Sequence, residues 1–178
     1  KSFFILFPFA FMTFFYVIPI FKIGELEFSF RYFPSIKIVS IALAWAGISV
    51  LFPLYESDFK YNILVYITFV QRFFILIGIT IPFDIRDVFT DEKSLKTIPQ
   101  ISGVLTTKII GTLVLVLVII AEIFKTTYSK SGILILAIIV LLTAIFLWFS
   151  TPKRNRFYTS FWVDSIPIIW LILIVLLK

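Results

Sequence analysis

Long apolar runs separated by short polar breaks dominate the chain. Six runs have the roughly 17 to 25 residues that an α-helix needs to cross a hydrocarbon core of about 30 Å. Strands would show polar residues at every second position, whereas these runs are apolar on all sides for about five helical turns. The sequence therefore predicts an all-α, polytopic bundle of six transmembrane helices in a single domain, residues 1–178. The predicted helices span residues 3–21, 36–55, 61–83, 107–124, 131–150 and 161–177.

The composition narrows the class of protein and the chemistry open to it. Hydrophobic residues make up 61% of the chain and charged residues 15%, whereas soluble proteins have about 25% charged residues. A soluble globule is excluded, because too few polar side chains remain to cover its surface. The sequence contains neither Cys nor His, which excludes thiolate and imidazole chemistry. Any bound metal must therefore be a hard ion with oxygen ligands.

The positive charges indicate how the chain crosses the bilayer. The net charge is +6, but the basic residues lie between the apolar runs and form no dense basic segment, so we expect no nucleic-acid partner. The connections after the first, third and fifth predicted helices hold ten Lys and Arg residues, and the opposite side holds five. Basic residues are enriched in cytoplasmic connections. We therefore expect an integral, multi-pass protein whose long connection, residues 84–106, faces the cytoplasm.

The connection after the first predicted helix has two interpretations. Residues 24–34 alternate polar and apolar side chains, a pattern that suits a segment lying flat at the lipid interface. An ordinary polar connector with aromatic anchors fits the same residues and is favoured.

Three carboxylates follow the third predicted helix directly, in residues 84–91 (DIRDVFTD). If the helix continues through them, steps of about 100° per residue place Asp87 and Asp91 within roughly 60° of Asp84. Acids crowded on one face next to lipid repel one another, and a divalent cation relieves that repulsion. Mg²⁺ suits the position because it prefers to bridge carboxylates and phosphate oxygens. Asp84, Asp87 and Asp91 are therefore the predicted catalytic and metal-binding residues, with a diphosphate as ligand.

Nearby basic residues extend this hypothesis. Arg86, Lys93 and Lys96 are predicted to supply positive charge to the phosphates. The competing interpretation is a solvated loop in which the same cations only neutralise the acids. Arg72 lies inside the third predicted helix, where a charge costs at least about 2.5 to 3.5 kcal/mol unless it faces the bundle or water. It either lines a substrate cavity and binds an anionic group, or contacts a neighbouring helix for structure.

These residues also carry a resemblance. Residues 82–87 (PFDIRD), with Asp91, the KTIP segment at residues 96–99 and Gly103, resemble the second aspartate motif of the UbiA superfamily of intramembrane prenyltransferases. Residues 31–37, which end at Lys37, are similar to a basic cytoplasmic segment of that family. Members have nine transmembrane helices, with a first N-D-x-x-D-like motif after the second helix and the second motif after the sixth. The resemblance implies that this chain is the last six of nine helices, a fragment without the first aspartate motif.

The resemblance also implies a function. Mg²⁺ would help the diphosphate of a polyprenyl donor to leave, and the polyprenyl group would pass to an aromatic or other lipophilic acceptor, a reaction class used in quinone biosynthesis. Lys37 and Arg72 are then further candidates for substrate binding. An apolar cavity would hold the isoprenoid tail.

Other functions remain open. No N-D-x-x-D pattern occurs in the 178 residues, which is also expected of a degenerate, non-catalytic relative that binds isoprenoid lipid or a partner protein. A transporter with an acid-lined ion path is less favoured, because the acids cluster at one membrane edge. A CDP-alcohol phosphatidyltransferase would carry D-G and A-R elements ahead of its acids, and these are missing.

Overall fold

The computed structural model describes Phe7 and residues 21–23, 26–28, 35–57, 59, 62–125 and 129–177. Five helices within these ranges are long and apolar enough to cross a membrane, which confirms the multi-pass helical architecture. The predicted first helix, residues 3–21, lies outside the described residues except at its Phe7 and Phe21. Phe7 is helical, and Phe21 begins a short strand.

After Phe7, the described residues form a small hairpin and then a series of helices. Strand β1 pairs antiparallel with β2, and Lys22 lies opposite Glu27 in the register. This hairpin occupies part of the segment for which an interfacial or plain connector was predicted. The strands are β1 (Phe21–Ile23) and β2 (Leu26–Phe28), and the helices are α1 (Ile36–Glu56), α2 (Ile63–Asp87), α3 (Ile98–Ser102), α4 (Val104–Ile123), α5 (Lys130–Phe149) and α6 (Tyr158–Leu177).

Two of the spanning helices are not regular α-helices throughout. Helix α1 contains a π-helical stretch, Gly47–Leu51, and helix α6 opens with another, Tyr158–Val163. The predicted bounds of the other helices are met to within a few residues, with one consequential difference. Helix α2 extends four residues beyond the predicted end at Phe83 and therefore includes the first two aspartates. It continues through Pro82, which is tolerated where neighbouring helices surround the freed carbonyl.

Helix α2 is the centre of the bundle. It packs against α1, α4 and α5, and its last turns also contact the start of α6. One buried cluster joins the middle of α2 to α4, α5 and α6, and includes Ile75, Val118, Ile139 and Ile166. A second cluster joins α1, α2 and α5 through Ile38, Ile81, Ile85 and Leu147. Most outward side chains are large and apolar, as expected for a lipid-facing surface.

Glycines allow the closest helix contacts. A Cβ atom on Gly111 of α4 would lie 2.7 Å from Cδ2 of Leu147 and 3.0 Å from Cδ1 of Ile81. A Cβ atom on Gly78 of α2 would lie 2.9 Å from Cδ2 of Leu115. Small residues at such positions let helix backbones approach closely. The van der Waals contacts made there stabilise helix association in lipid.

We expect Gly111→Val to destabilise the bundle, because the added side chain overpacks the contact of α4 with α2 and α5 at a cost of about 1 to 3 kcal/mol. Gly132→Val is the matched control, since among the described residues a Cβ there meets only the Ser129 side chain, with Cβ at 3.5 Å and Oγ at 3.8 Å. Thermal unfolding in detergent should show a clear loss for the first variant and little change for the second. Equal melting temperatures would contradict the close packing of α4.

Candidate functional site

The predicted aspartates lie at one end of the bundle, where three spanning helices meet. Helix α2 ends there at Asp87, α1 begins there at Ile36, and α6 begins there at Tyr158. Side chains bridge these ends, since Lys37 of α1 contacts Asp84, and Arg86 donates to the hydroxyl of Thr159.

Lys37 holds two of the three predicted carboxylates. Its Nζ lies 3.1 Å from Oδ1 of Asp84 and 3.1 Å from Oδ2 of Asp91. The Asp84 side chain is only 2% exposed, whereas that of Lys37 is 29% exposed. A buried carboxylate needs a charge partner, so Lys37 is the residue that allows Asp84 to lie within the helix packing.

One oxygen of Asp84 has no hydrogen-bond partner in the described part of the chain. Within the described residues, Oδ2 of Asp84 is buried and accepts no hydrogen bond. The neighbouring Ile81 and Ile85 on α2 belong to the apolar cluster that also contains Ile38 and Leu147. An unpaired carboxylate oxygen in such surroundings is costly, and it is available to a cation or a hydrogen-bond donor that enters the site.

Asp87 belongs to a different ion pair. Both of its oxygens accept from Arg86, with Nε of Arg86 at 2.7 Å from Oδ1. Arg86 also donates through Nη1 to Oγ1 of Thr159, which is buried at the start of α6. Its guanidinium lies 5.4 Å from the ring centre of Phe83. Arg86, predicted to bind phosphate, is therefore occupied by Asp87 and α6.

The three aspartates form two groups because α2 ends at Asp87. The amides of Thr90 and Asp91 both donate to the Asp87 carbonyl, at 2.9 and 2.8 Å, and the chain then leaves the helix. The helical face predicted to continue through Asp91 is thus interrupted, and Asp91 reaches Lys37 from the connector. Within the described residues, no group of three or more acidic side chains is close enough to hold a metal ion.

The connector after Asp91 is held by a residue that the sequence analysis missed. Gln100 donates from Nε2 to the Asp91 carbonyl at 3.1 Å, and its Oε1 accepts from the Thr97 amide at 3.0 Å. A Thr followed three residues later by Gln is a helix-capping pattern, and here it marks the start of α3. Gln100 could have been found from that spacing, whereas the role of Thr159 has no signal in the sequence.

The remaining predicted residues are not brought to the aspartates. Lys93 and Lys96 are exposed in the same connector, and neither forms an ion pair with an aspartate in the part of the chain that the structure describes. Lys96 adopts a left-handed backbone conformation, with φ of 43°, at the turn into α3. Arg72 lies twelve residues before Asp84, about 18 Å along the helix, towards the other end of α2.

The residues at this end fit a Mg²⁺ ion as a partial ligand set. Mg²⁺ is held in many sites by one or two carboxylates while phosphates and water supply the other oxygens. Asp84 and Asp91 already converge on one cation, and Oδ2 of Asp84 is unpaired among the residues that the structure describes. Asp84, Asp87, Asp91, Lys37 and Arg86 together carry three negative and two positive charges. The formal charges of these five side chains sum to −1.

The chain matches no protein family model, no curated protein and no solved structure. The similarity to the UbiA superfamily therefore rests on the residues of the motif alone.

We expect Lys37→Met to destabilise the protein by about 3 kcal/mol, because the substitution leaves the buried Asp84 carboxylate unpaired. Adding Asp84→Asn should restore part of that loss, since the uncompensated charge is removed. The control is Lys108→Met, because Lys108 lies near the same end and donates to the Trp148 carbonyl. Chemical unfolding in detergent compares the wild type, the three single variants Lys37→Met, Asp84→Asn and Lys108→Met, and the double variant. Additive effects of the Lys37 and Asp84 substitutions would exclude the proposed dependence.

Proposed function

We propose that this chain provides the second aspartate motif and the surrounding helices of a UbiA-like prenyltransferase. The protein would transfer a polyprenyl group from a prenyl diphosphate to an aromatic or other lipophilic acceptor in a Mg²⁺-dependent reaction. The observation that carries the proposal is the convergence of Asp84 and Asp91 on a single cation at the end of a spanning helix, beside a buried, unpaired carboxylate oxygen.

The charges of the site suit a diphosphate that is accompanied by a metal ion. The five charged side chains of the site sum to one negative charge, which favours a divalent cation and disfavours a bare diphosphate. When bound, Mg²⁺ would neutralise the diphosphate and make it a better leaving group. Asp84 and Asp91 are the ligands best placed to hold it. Lys37, freed from one carboxylate, would be available to a phosphate oxygen.

The other residues of the site orient these groups. Arg86 fixes the Asp87 carboxylate and ties the end of α2 to Thr159 of α6. Gln100 fixes the backbone at Asp91, so that the connector keeps its carboxylate beside Lys37. Lys93 and Lys96 lie exposed in the connector, which we propose faces the cytoplasm, and would attract an arriving diphosphate.

The apolar bundle supplies the environment for the remaining substrate. Burial of an isoprenoid tail among apolar helices is favourable. Exclusion of water would protect a reactive allylic cation until the acceptor captures it. The chain contains 23 Phe residues, and aromatic faces stabilise positive charge.

A non-catalytic relative that binds isoprenoid lipid or a partner protein is the second candidate, and one observation favours it. The ammonium of Lys37 already satisfies an oxygen of both Asp84 and Asp91. A permanent internal cation of this kind would stabilise the acids without any metal. The two candidates differ in whether Mg²⁺ changes the binding of a prenyl diphosphate.

We expect Asp87→Ala in the full-length protein to abolish Mg²⁺-dependent binding and transfer from a prenyl diphosphate, because Arg86 would lose the partner that holds it in place. The assay uses protein in nanodiscs, a radiolabelled prenyl diphosphate and a panel of aromatic acceptors, with Mg²⁺ or with EDTA. A loss of at least 100-fold in turnover is expected.

Glu56→Ala is the matched control for that assay, since Glu56 is an exposed acid at the other end of α1. It should keep wild-type turnover. Unchanged turnover in Asp87→Ala would overturn the assignment of the site. Prenyl diphosphate binding by the wild type that is equal with Mg²⁺ and with EDTA, and without turnover, would favour the non-catalytic candidate.

A further inference from the structure

A cavity of about 270 Å³ lies between α2, α4, α5 and α6, towards the end of the bundle opposite the aspartates. Its polar side chains come from α2, from the end of α4 and from the connection between α4 and α5, and its apolar side chains come from α5 and α6. The lining includes Thr68, Gln71, Arg72, Glu122, Lys125 and Trp170.

Arg72 is held in this cavity by stacking. Its guanidinium carbon lies 3.3 Å from the centre of the Trp170 ring. Stacking uses the face of the guanidinium and leaves the N–H donors at its edge pointing outwards in the plane. Among the described residues, no oxygen accepts a hydrogen bond from Arg72 and no carboxylate pairs with it. Its donors are therefore available to a ligand.

The acid in the cavity is already neutralised. Glu122 Oε2 accepts from Nε2 of Gln71 at 2.8 Å and pairs with Nζ of Lys125 at 2.6 Å. Gln71 also donates to the Val118 carbonyl at 3.1 Å, so its amide is fixed between α2 and α4. Because Glu122 pairs with Lys125, Arg72 has no counter-charge among the described residues of the cavity.

An uncompensated Arg within a spanning helix is costly, which makes a bound anion the expected partner. Arg binds carboxylates and phosphates through two parallel hydrogen bonds, and a stacked guanidinium is already oriented for that geometry. Hydroxyls of Thr68 and Ser129 also line the cavity and can donate to an oxyanion. The volume suits a headgroup-sized anion, because complete drug-sized ligands occupy about 300 Å³ or more.

We propose that this cavity is a binding site for a phosphate-type oxyanion, with Arg72 as its main ligand and Trp170 as the platform that orients Arg72. The anion is either the phosphate of an anionic lipid headgroup in the surrounding leaflet or a free phosphate from the adjacent aqueous phase. The site is separate from the aspartates, since Arg72 and Asp84 lie about 18 Å apart along α2. It does not depend on prenyl transfer.

The test titrates wild-type protein in phosphatidylcholine nanodiscs with two probes, phosphatidylglycerol incorporated into the disc and inorganic phosphate in the buffer. Tryptophan fluorescence reports binding, because an anion on Arg72 changes the environment of Trp170. We expect a saturable change with at least one probe. Arg72→Gln should weaken that binding at least tenfold, and Arg72→Lys should weaken it less. Trp170→Phe should remove the binding-induced change in fluorescence, although the other three of the four Trp residues still fluoresce.

Arg154→Gln is the matched control. Arg154 also lies over an aromatic ring, with its guanidinium carbon 5.0 Å from the centre of Tyr158, but at the opposite end of the bundle. The Arg154→Gln substitution removes the same charge as Arg72→Gln and should leave the titration unchanged. Asp87→Asn at the aspartate site should also leave it unchanged. Thermal melting of each variant shows whether it is folded.

The outcomes separate the sources of the anion and decide the proposal. Saturation with phosphatidylglycerol alone identifies a lipid headgroup, and saturation with inorganic phosphate identifies a free anion. A wild-type protein that responds to neither probe overturns the proposal, even if Arg72→Gln fails to fold. Equal responses of Arg72→Gln and Arg154→Gln also overturn it. Neither result bears on prenyl transfer, because no prenyl substrate or Mg²⁺ is present.

Discussion

The burial of Asp84 is the constraint on which the candidate site depends. A carboxylate with 2% of its side chain exposed is stable there only with a cation beside it. Lys37 meets that need from α1, and the same ammonium binds Asp91 from the connector. Two ion pairs of one ammonium thus join the beginning of α1, the end of α2 and the connector after it.

Helix α2 links this site to the rest of the molecule. Its close contact with α4 and α5 at Gly78 and Gly111 leaves little freedom for the helix to slide. Its two polar regions point to different partners, with Asp84 facing Lys37 of α1 and Arg72 facing Trp170 of α6. The helix therefore supports two chemically different regions, an acidic one at its end and a basic one about 18 Å away.

The spanning helices could be predicted because their signal is local. A run of about 20 apolar residues has few structures available in lipid other than a helix, and five of the six predicted helices are present in the described residues. The end of α2 was harder to predict. Asp84 and Asp87 break the apolar run, but both remain in the helix, where they pair with Lys37 and Arg86.

The pairing within the site could not be predicted from spacing along one helix. Asp84 and Asp91 meet through Lys37, which lies about fifty residues earlier in the chain, while Asp87 turns to its neighbour Arg86. The partner of Arg72 was equally hard to predict, because the Trp170 ring lies on α6. Contacts between distant segments leave no periodic trace in a single sequence, whereas Gln100 had one in its spacing from Thr97.

The positions of these partners along the chain have a consequence for biogenesis. Lys37 precedes Asp84, so α1 with its counter-charge has already been synthesised when the acidic end of α2 leaves the ribosome. Trp170 follows Arg72 by almost a hundred residues, so the middle of α2 enters the bilayer before its platform has been synthesised. Until the last helix inserts, Arg72 must be accommodated by water, by lipid phosphates or by the insertion machinery.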